Sequence, residues 1–306
     1  MEKARELRRR IRSVEKTRQI TKTMEMVSAS KLKRAQDRVV RSRPYARALV
    51  EIIGELFDAE RAGQFPLLRV ADPPARGAVV LITSNRGLCG GFNANLIRLA
   101  RDRLQTLTTE GVATELHAIG RKGIGYFRYA GQTLASQRID IGDRPTPQHA
   151  VEVMGPLMER FERGELDLVE VVYGKFNSPV HTPPAVMRVL PVSAPTGRSG
   201  SGGSSGSRGG AETATQAGHH ADYLLRPSAE AVVEAALPLY VRNQMYRALV
   251  ETAAAEHGAR RTAMKNATDS AGEMIDWLRR TYNRARQTQI TQEIAEIVGG
   301  SEALRG

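Results

Sequence analysis

A heptad pattern near the C-terminal end constrains this chain more than any other feature. Small and apolar residues recur there at alternating intervals of three and four, the spacing of a coiled-coil seam. The predicted seam consists of Met264, Ala267, Ala271, Met274, Leu278, Thr281, Ala285, Thr288, Gln292 and Ala295. Because most of these side chains are small, a partner helix can approach closely. We therefore expect a helix over 227–298, bent at Pro238 and ended by Gly299-Gly300, with 299–306 as a tail.

The first 58 residues predict a second long helix. They contain no proline before Pro44 and no glycine before Gly54, and we expect Pro44 to kink or end the first part. The predicted seam of this helix consists of Ile11, Val14, Thr21, Ser28, Leu32, Ala35 and Val39. Either helix alone would expose its apolar stripe, so we expect the two to pair as an antiparallel coiled coil. The C-terminal helix is the longer, and one of its tips should project beyond its partner.

Residues 59–226 have the pattern of an α/β module. Short apolar runs predict strands, and they alternate with amphipathic helices, which indicates a parallel or mixed sheet with helices on its faces. The predicted strands are 77–83, 112–119, 133–139, 166–176 and 185–192, and the predicted helices are 92–109, 120–130 and 147–163. Residues 197–218 are rich in Gly and Ser, which predicts a flexible loop within this module.

The charge is concentrated at the N-terminal end. The formal net charge is +12, and residues 1–50 hold sixteen Lys and Arg against five Asp and Glu. Such an end suits an anionic partner, whether nucleic acid, acidic lipid or an acidic protein surface, or a helix face that only aids solubility. No stretch of eighteen apolar residues occurs, so we expect no membrane span. Cys89 is the single cysteine, which excludes an internal disulfide and a cysteine-based zinc site.

A glycine-rich turn, Ser84–Asn93, follows the first predicted strand and precedes a helix. Such a turn could hold a phosphate, but it matches neither GxGxxG nor the P-loop, whose lysine it lacks. The other interpretation is a tight strand-to-helix turn. No signature pairs Cys89 with a histidine, and His219-His220 has no further ligands nearby. We therefore predict no catalytic residue, no cofactor and no metal.

Four motifs carry a resemblance to a known family. They are Ile20–Lys31 (ITKTMEMVSASK), Ser84–Asn93 (SNRGLCGGFN), Met264–Asp269 (MKNATD) and Tyr282–Val298 (YNRARQTQITQEIAEIV). The chain resembles ATP synthase gamma subunits along nearly its whole length. Two features depart from the family: the Gly/Ser segment is long, and the regulatory cysteine pair of chloroplast members is missing.

The resemblance implies a non-catalytic rotor. The fold would be a Rossmann-like module inserted between the helices of a coiled coil, and rotation would couple proton flow to ATP synthesis at the beta subunits. The implied partners are the alpha and beta subunits, the epsilon subunit and the membrane ring of c subunits, with no nucleic acid and no cofactor. The implied location is the cytoplasmic side of the cell (inner) membrane, as a peripheral protein.

The resemblance also implies roles for individual residues. Contact with beta subunits, which carry an acidic loop in this family, falls to Met24, Arg286, Gln287 and Thr291. A tip that turns in a hydrophobic sleeve is formed by Ile290, Ile294, Ile297 and Val298. A foot near epsilon and the rotor ring includes Lys31, Arg34, Tyr223 and Leu225.

Two other hypotheses stay open on the residues alone. The first is an α/β enzyme with coiled-coil arms that binds a nucleotide at Gly87–Gly91, although no catalytic group is visible near that turn. The second is a basic coiled coil that binds nucleic acid, although neither a reading motif nor an aromatic stacking platform is present.

Overall fold

The computed structural model describes residues 2–56, 65–192 and 228–303. A long helix stands at each end, α1 (Glu2–Leu56) and α5 (Ala229–Ala303). The elements between them are β1 (Arg76–Ile82), α2 (Phe92–Thr109), β2 (Ala113–Ile119), α3 (Arg121–Tyr129), β3 (Ser136–Arg138), α4 (Pro147–Glu162), β4 (Leu168–Gly174) and β5 (Pro184–Leu190). The predicted fold class, an α/β module between two long helices, is confirmed.

The five strands form one mixed sheet in the order β3-β2-β1-β4-β5. Strands β1 to β4 are parallel, and β5 runs antiparallel to β4. Of the three inner strands, β1 and β4 are almost wholly buried, as expected for apolar runs covered on both faces. Helix α5 packs against one side of this sheet together with α4, so the second long helix belongs to the module as well as to the coiled coil.

The predicted C-terminal end of α5 needs correction. Helix α5 continues through Gly299 and Gly300 to Ala303, where we expected it to stop. A glycine costs a helix about 1 kcal/mol relative to alanine, which weakens a helix without ending it. Pro44 lies inside α1 and so does not end it, while the kink expected there and the bend expected at Pro238 stay predictions. The division into domains stays a prediction, and the Gly/Ser segment 197–218 lies outside the described residues.

Helices α1 and α5 form the predicted antiparallel coiled coil. The hydroxyls of Thr268 and Thr21 share a hydrogen bond at 2.8 Å, and Arg279 pairs with Glu15 at 2.7 Å. Further down, Val39 packs in one cluster with Val250 and Ala254. Residue numbers rise along α1 as they fall along α5, which fixes the antiparallel direction.

The seam of α5 differs from the predicted one at alternate positions, where the buried residue is the one that follows the predicted residue. Its buried members are Met264, Thr268, Ala271, Ile275 and Leu278. Met274, placed in the seam by the sequence pattern, is 53% exposed, while Ile275 is 3% exposed. The pattern misled because Thr268 can enter the seam: its hydroxyl also bonds the Met264 carbonyl at 2.8 Å. On α1 the predicted seam residues Ser28, Leu32, Ala35 and Val39 are buried.

The end of α5 projects beyond its partner, as predicted. The short-side-chain pair of Thr21 with Thr268 places the start of α1, Glu2, beside about residue 287 of α5. Residues 291–301 are all exposed. At about 1.5 Å per residue, the unpaired end is on the order of 24 Å long.

The corrected register predicts opposite effects for two adjacent substitutions. Ile275→Ala should lower the free energy of unfolding by about 2–4 kcal/mol, because it opens a cavity between the two helices. Met274→Ala, the matched control, should change it by less than about 0.5 kcal/mol, as is usual at an exposed position. Denaturant titration of both variants checks this, and a larger loss for Met274→Ala would restore the register predicted from sequence.

Candidate functional site

The projecting end of α5 carries an apolar stripe. Ile290, Ile294, Ile297 and Val298 are 48%, 56%, 72% and 53% exposed. Their spacing places them on one side of the helix at about 100° per residue. Within the described part of the chain, no other element covers this stripe. An apolar strip of this kind on an extended tip is typical of a contact surface.

The polar residues predicted to contact a partner lie at the base of this tip. Arg286, Gln287 and Thr291 are all exposed. Thr291 donates a hydrogen bond to the Gln287 carbonyl at 3.0 Å. Arg286 makes no hydrogen bond or ion pair with any described residue, and it lies on the same side of α5 as Ile290. Its guanidinium is therefore available to a partner.

The coiled coil has an apolar flank and a charged flank. On α1, Ile20 and Val27 are exposed beside the half-buried Met24, on the side from which Lys31 contacts the module. On α5, the exposed Met274 lies five turns beyond Glu256, which is on the side of α5 that faces the module, and Met274 lies on that same side. The opposite flank holds a shallow groove lined by Glu15, Arg18, Gln19, Lys22, Thr268, Asp269, Ile275 and Arg279. The cross-section is thus asymmetric.

The structure divides the residues predicted for the foot. Arg34 is exposed, whereas the Lys31 side chain pairs with Asp143 and faces the module. Tyr223 and Leu225 lie outside the described residues. The role of all four at the foot stays a prediction.

The glycine-rich turn uses its polar groups within the module. Asn93 accepts a hydrogen bond from the Ser84 amide at 3.0 Å and donates to the Ser84 hydroxyl at 2.8 Å. Asn85 donates to the carbonyls of Ile139 and Ile141. Leu88 and Gly90 have φ values of 62° and 59°, so the turn is tight and left-handed at both. These contacts support the interpretation of the motif as a structural turn.

Helix α5 occupies the place where α/β sheets usually bind ligands. That place is the crevice at the carboxyl ends of neighbouring strands from which the chain departs in opposite directions, here β1 and β4. Thr252 of α5 accepts a hydrogen bond from the Gly174 amide at 3.2 Å. A methyl group at Gly174 would lie only 3.1 Å from the Ala255 Cβ. The helix therefore lies against the carboxyl end of β4, and a cleft of about 530 Å³ remains beside it at the ends of β1 and β2.

An ionic cluster, buried on α5 and half-buried at Lys31 and Asp143, joins α1 and α5 to the module, and sequence reasoning missed it. It comprises Lys31, Asp143, Glu256, His257 and Arg260. The sequence signal for this cluster was weak. Residues 250–258 of α5 are buried without a break, although this run contains charged residues. Charged residues in such a run must find partners, since an unpaired buried charge is costly.

Comparisons with known proteins agree with this architecture. The family model described as ATP synthase matches residues 3–304. A relative from Gemmatimonas aurantiaca named ATP synthase gamma chain is 52% identical over 306 residues, all of both chains. Another of that name, from Moorella thermoacetica, is 43% identical and covers 98% of this chain and 99% of its own.

The chain belongs to the ATP synthase gamma-chain family. Its fold is similar to that of a rotor chain of Euglena gracilis mitochondrial ATP synthase, with a TM-score of 0.60 at 21% identity, covering 94% of this chain and 99% of that one. In the described ranges, no helix has both the length and the apolarity needed to cross a membrane. The sequence resemblance is confirmed, whereas the roles of individual residues stay predictions.

Burial controls the charge of the histidine in the ionic cluster. Burial lowers the pKa of His257 to about 4. The positive charge of Arg260 also lowers this pKa, whereas the negative charge of Asp143 raises it. Burial also raises the pKa of Glu256, although the Arg260 guanidinium opposes it. For Asp143, burial acts upward, but the hydrogen bond from Lys31 and the surrounding positive charges together hold its pKa below the usual value. His257 is therefore neutral at neutral pH.

Stability should fall with pH through His257. Its folded pKa of about 4 lies below the ordinary 6.5, so its contribution is complete above pH 6.5 and is lost as the pH falls toward 4. The loss is about 3 kcal/mol at most, partly offset as Glu256 takes up a proton in the folded state. In thermal melts between pH 7.5 and 4.5, the melting temperature of His257→Gln should fall less steeply than that of the unaltered chain. The exposed His181→Gln is the control, and parallel curves for all three would contradict the assignment.

We predict that the isolated chain binds no nucleotide, because the glycine-rich turn lacks the P-loop lysine and its polar groups bond within the module. Titration calorimetry with ATP and Mg²⁺ should show no saturable heat. A micromolar affinity would contradict this prediction and favour the enzyme hypothesis.

Proposed function

We propose that this chain is the non-catalytic central shaft of a proton-translocating ATP synthase, and that its rotation couples proton flow through the membrane sector to ATP synthesis at the beta subunits. The observation that carries the proposal is the asymmetric antiparallel pair of α1 and α5, which ends in a projecting apolar tip. Family membership adds the context of the complex.

An asymmetric shaft can drive a cycle of conformations in the subunits around it. A subunit changes state when a partner binds one of its conformations more tightly than another. As the shaft turns, each surrounding subunit meets first the apolar flank with Ile20 and Val27 and then the charged flank with Lys22 and Arg279. A symmetric rod would present the same surface at every angle and could bias nothing.

The proposal assigns partners to the parts of the chain. Alpha and beta subunits surround the coiled coil, with Met24 facing an acidic loop of beta and Arg286, Gln287 and Thr291 making polar contacts further toward the tip. The stripe Ile290, Ile294, Ile297 and Val298 turns in a hydrophobic sleeve. The epsilon subunit and the c ring contact the foot, where Lys31, Arg34, Tyr223 and Leu225 are placed. The chain is then a peripheral protein on the cytoplasmic side of the cell membrane.

The test is proton pumping per ATP hydrolysed in membrane vesicles that carry variant shafts. Arg286→Ala should leave assembly intact but lower ATP synthesis and ATPase turnover about tenfold, because charge-assisted hydrogen bonds contribute about 1.5–3 kcal/mol each. Met24→Lys should add an attraction to the acidic loop, slow its release and lower the number of protons pumped per ATP.

Two matched controls separate these effects from a change of charge alone. Arg284→Ala and Met26→Lys make the same substitutions two residues away, on exposed positions about 200° around the same helices. We expect both controls to keep normal rates and ratios. Unchanged rates and ratios in Arg286→Ala and Met24→Lys would mean that these two residues are only solvated surface.

A further inference from the structure

The contacts between the sheet module and the two long helices are of two kinds. Most are apolar, such as the packing of β1 and β4 against α5, and apolar contacts have no fixed direction. The polar contacts differ, because hydrogen bonds fix angles as well as distances. They comprise the bonds that Thr252 and Glu251 of α5 accept from the Gly174 and Phe176 amides, and the half-buried to buried ionic cluster. This cluster is also the place where one loop of the module touches both helices.

Asp143 lies at the centre of this cluster, in the loop between β3 and α4. Its carboxylate accepts a hydrogen bond from the Lys31 ammonium of α1. Its backbone carbonyl accepts another from Arg38, about two turns further along the same helix, at 2.9 Å. On the other side, His257 Nε2 of α5 lies 3.6 Å from Asp143 Oδ1. Asp143 therefore contacts both helices of the pair.

Arg260 supplies a second connection on the α5 side. Its guanidinium donates to the Gly87 carbonyl at 3.2 Å, and Gly87 lies in the turn after β1. The same guanidinium pairs with Glu256 at 2.6 Å and approaches His257 Nδ1 at 3.3 Å. Two separate loops of the module are thus held, one by α1 and the other by α5.

We propose that Asp143 is a positioning residue that fixes the rotational angle between the sheet module and the coiled coil, so that a turning force on one reaches the other without slip. This inference rests on the proposed rotor function. Lys31 and Arg38 hold Asp143 from α1 while Arg260 holds the Gly87 turn from α5, so rotation of the pair against the module must break directional bonds.

The experiment measures torsional stiffness in the assembled complex of this chain with alpha and beta subunits. The head is fixed to a surface and a bead is attached at Tyr129→Cys, a position 93% exposed on α3, in a Cys89→Ser background. In the absence of ATP, the variance of the bead angle is inversely proportional to the stiffness between head and module. For Asp143→Asn we expect this variance to rise about twofold, because the charge that strengthens the Lys31 bond is gone.

The matched control is Asp167→Asn. Asp167 is also a carboxylate with several partners, Arg69 and the amides of Ala75 and Arg76, but all of them lie within the module. This variant should lower the melting temperature of the complex without raising the angular variance. If Asp143→Asn changes the variance no more than Asp167→Asn does, the role of Asp143 is only structural and the proposal is overturned.

A second variant keeps the test decisive if Asp143→Asn fails to assemble. Lys31→Met removes the partner on α1 and should raise the variance to a similar degree. Where both variants assemble, the double variant should be no softer than either single one, because the two residues act as a unit. Additive softening would contradict a shared bond. If the unaltered chain shows no ATP-driven rotation, the rotor function itself fails, whereas normal rotation with unchanged variance in the variants contradicts only the role of Asp143.

Discussion

The close pairing of α1 with α5 is the constraint on which the rest of the structure depends. Its seam contains Ala35, Ala271, Ser28 and Thr268, side chains small enough to bring the two backbones near each other. Thr268 can be buried in the seam because its hydroxyl is hydrogen-bonded both to Thr21 and to the Met264 carbonyl of its own helix. The pairing sets which face of α5 is left for the sheet, which flank of the coil is apolar, and how far the C-terminal end projects.

Much of the fold could be predicted from the sequence because the signals were local. Helix α2 begins at Phe92 and ends at Thr109, the predicted bounds, and each predicted strand was found with ends a few residues away. The seam register was harder, since Met274 and Ile275 fit a heptad pattern equally well. Only the position of the partner helix decides which of them is buried. The C-terminal end of α5 was predicted too early because glycine weakens a helix but does not end it, and no proline follows Gly300 to stop the helix.

The ionic cluster was beyond sequence reasoning for a different reason. Lys31 and Asp143 are 112 residues apart, and nothing in the neighbourhood of either predicts the other. His257 and Arg260 are residue types that are common on solvent-exposed helix faces. Only the folded structure shows that these two are buried. The tip residues were assigned by resemblance to a family, and their exposure agrees with a contact role without testing it.

The unpaired end of α5 has a consequence for friction. A two-helix rod with axes about 8–10 Å apart has a half-width near 10 Å, while a single helix has a radius of about 5–6 Å. Drag on a turning body opposes it in proportion to the distance from the axis at which the drag acts. Where α5 continues alone past Glu2, rubbing of the isoleucine stripe against a surrounding wall therefore acts on roughly half the lever arm. In the proposed rotor, the C-terminal end of α5 must stay on the rotation axis. It is also the part of the shaft at which continuous contact dissipates the least energy per turn.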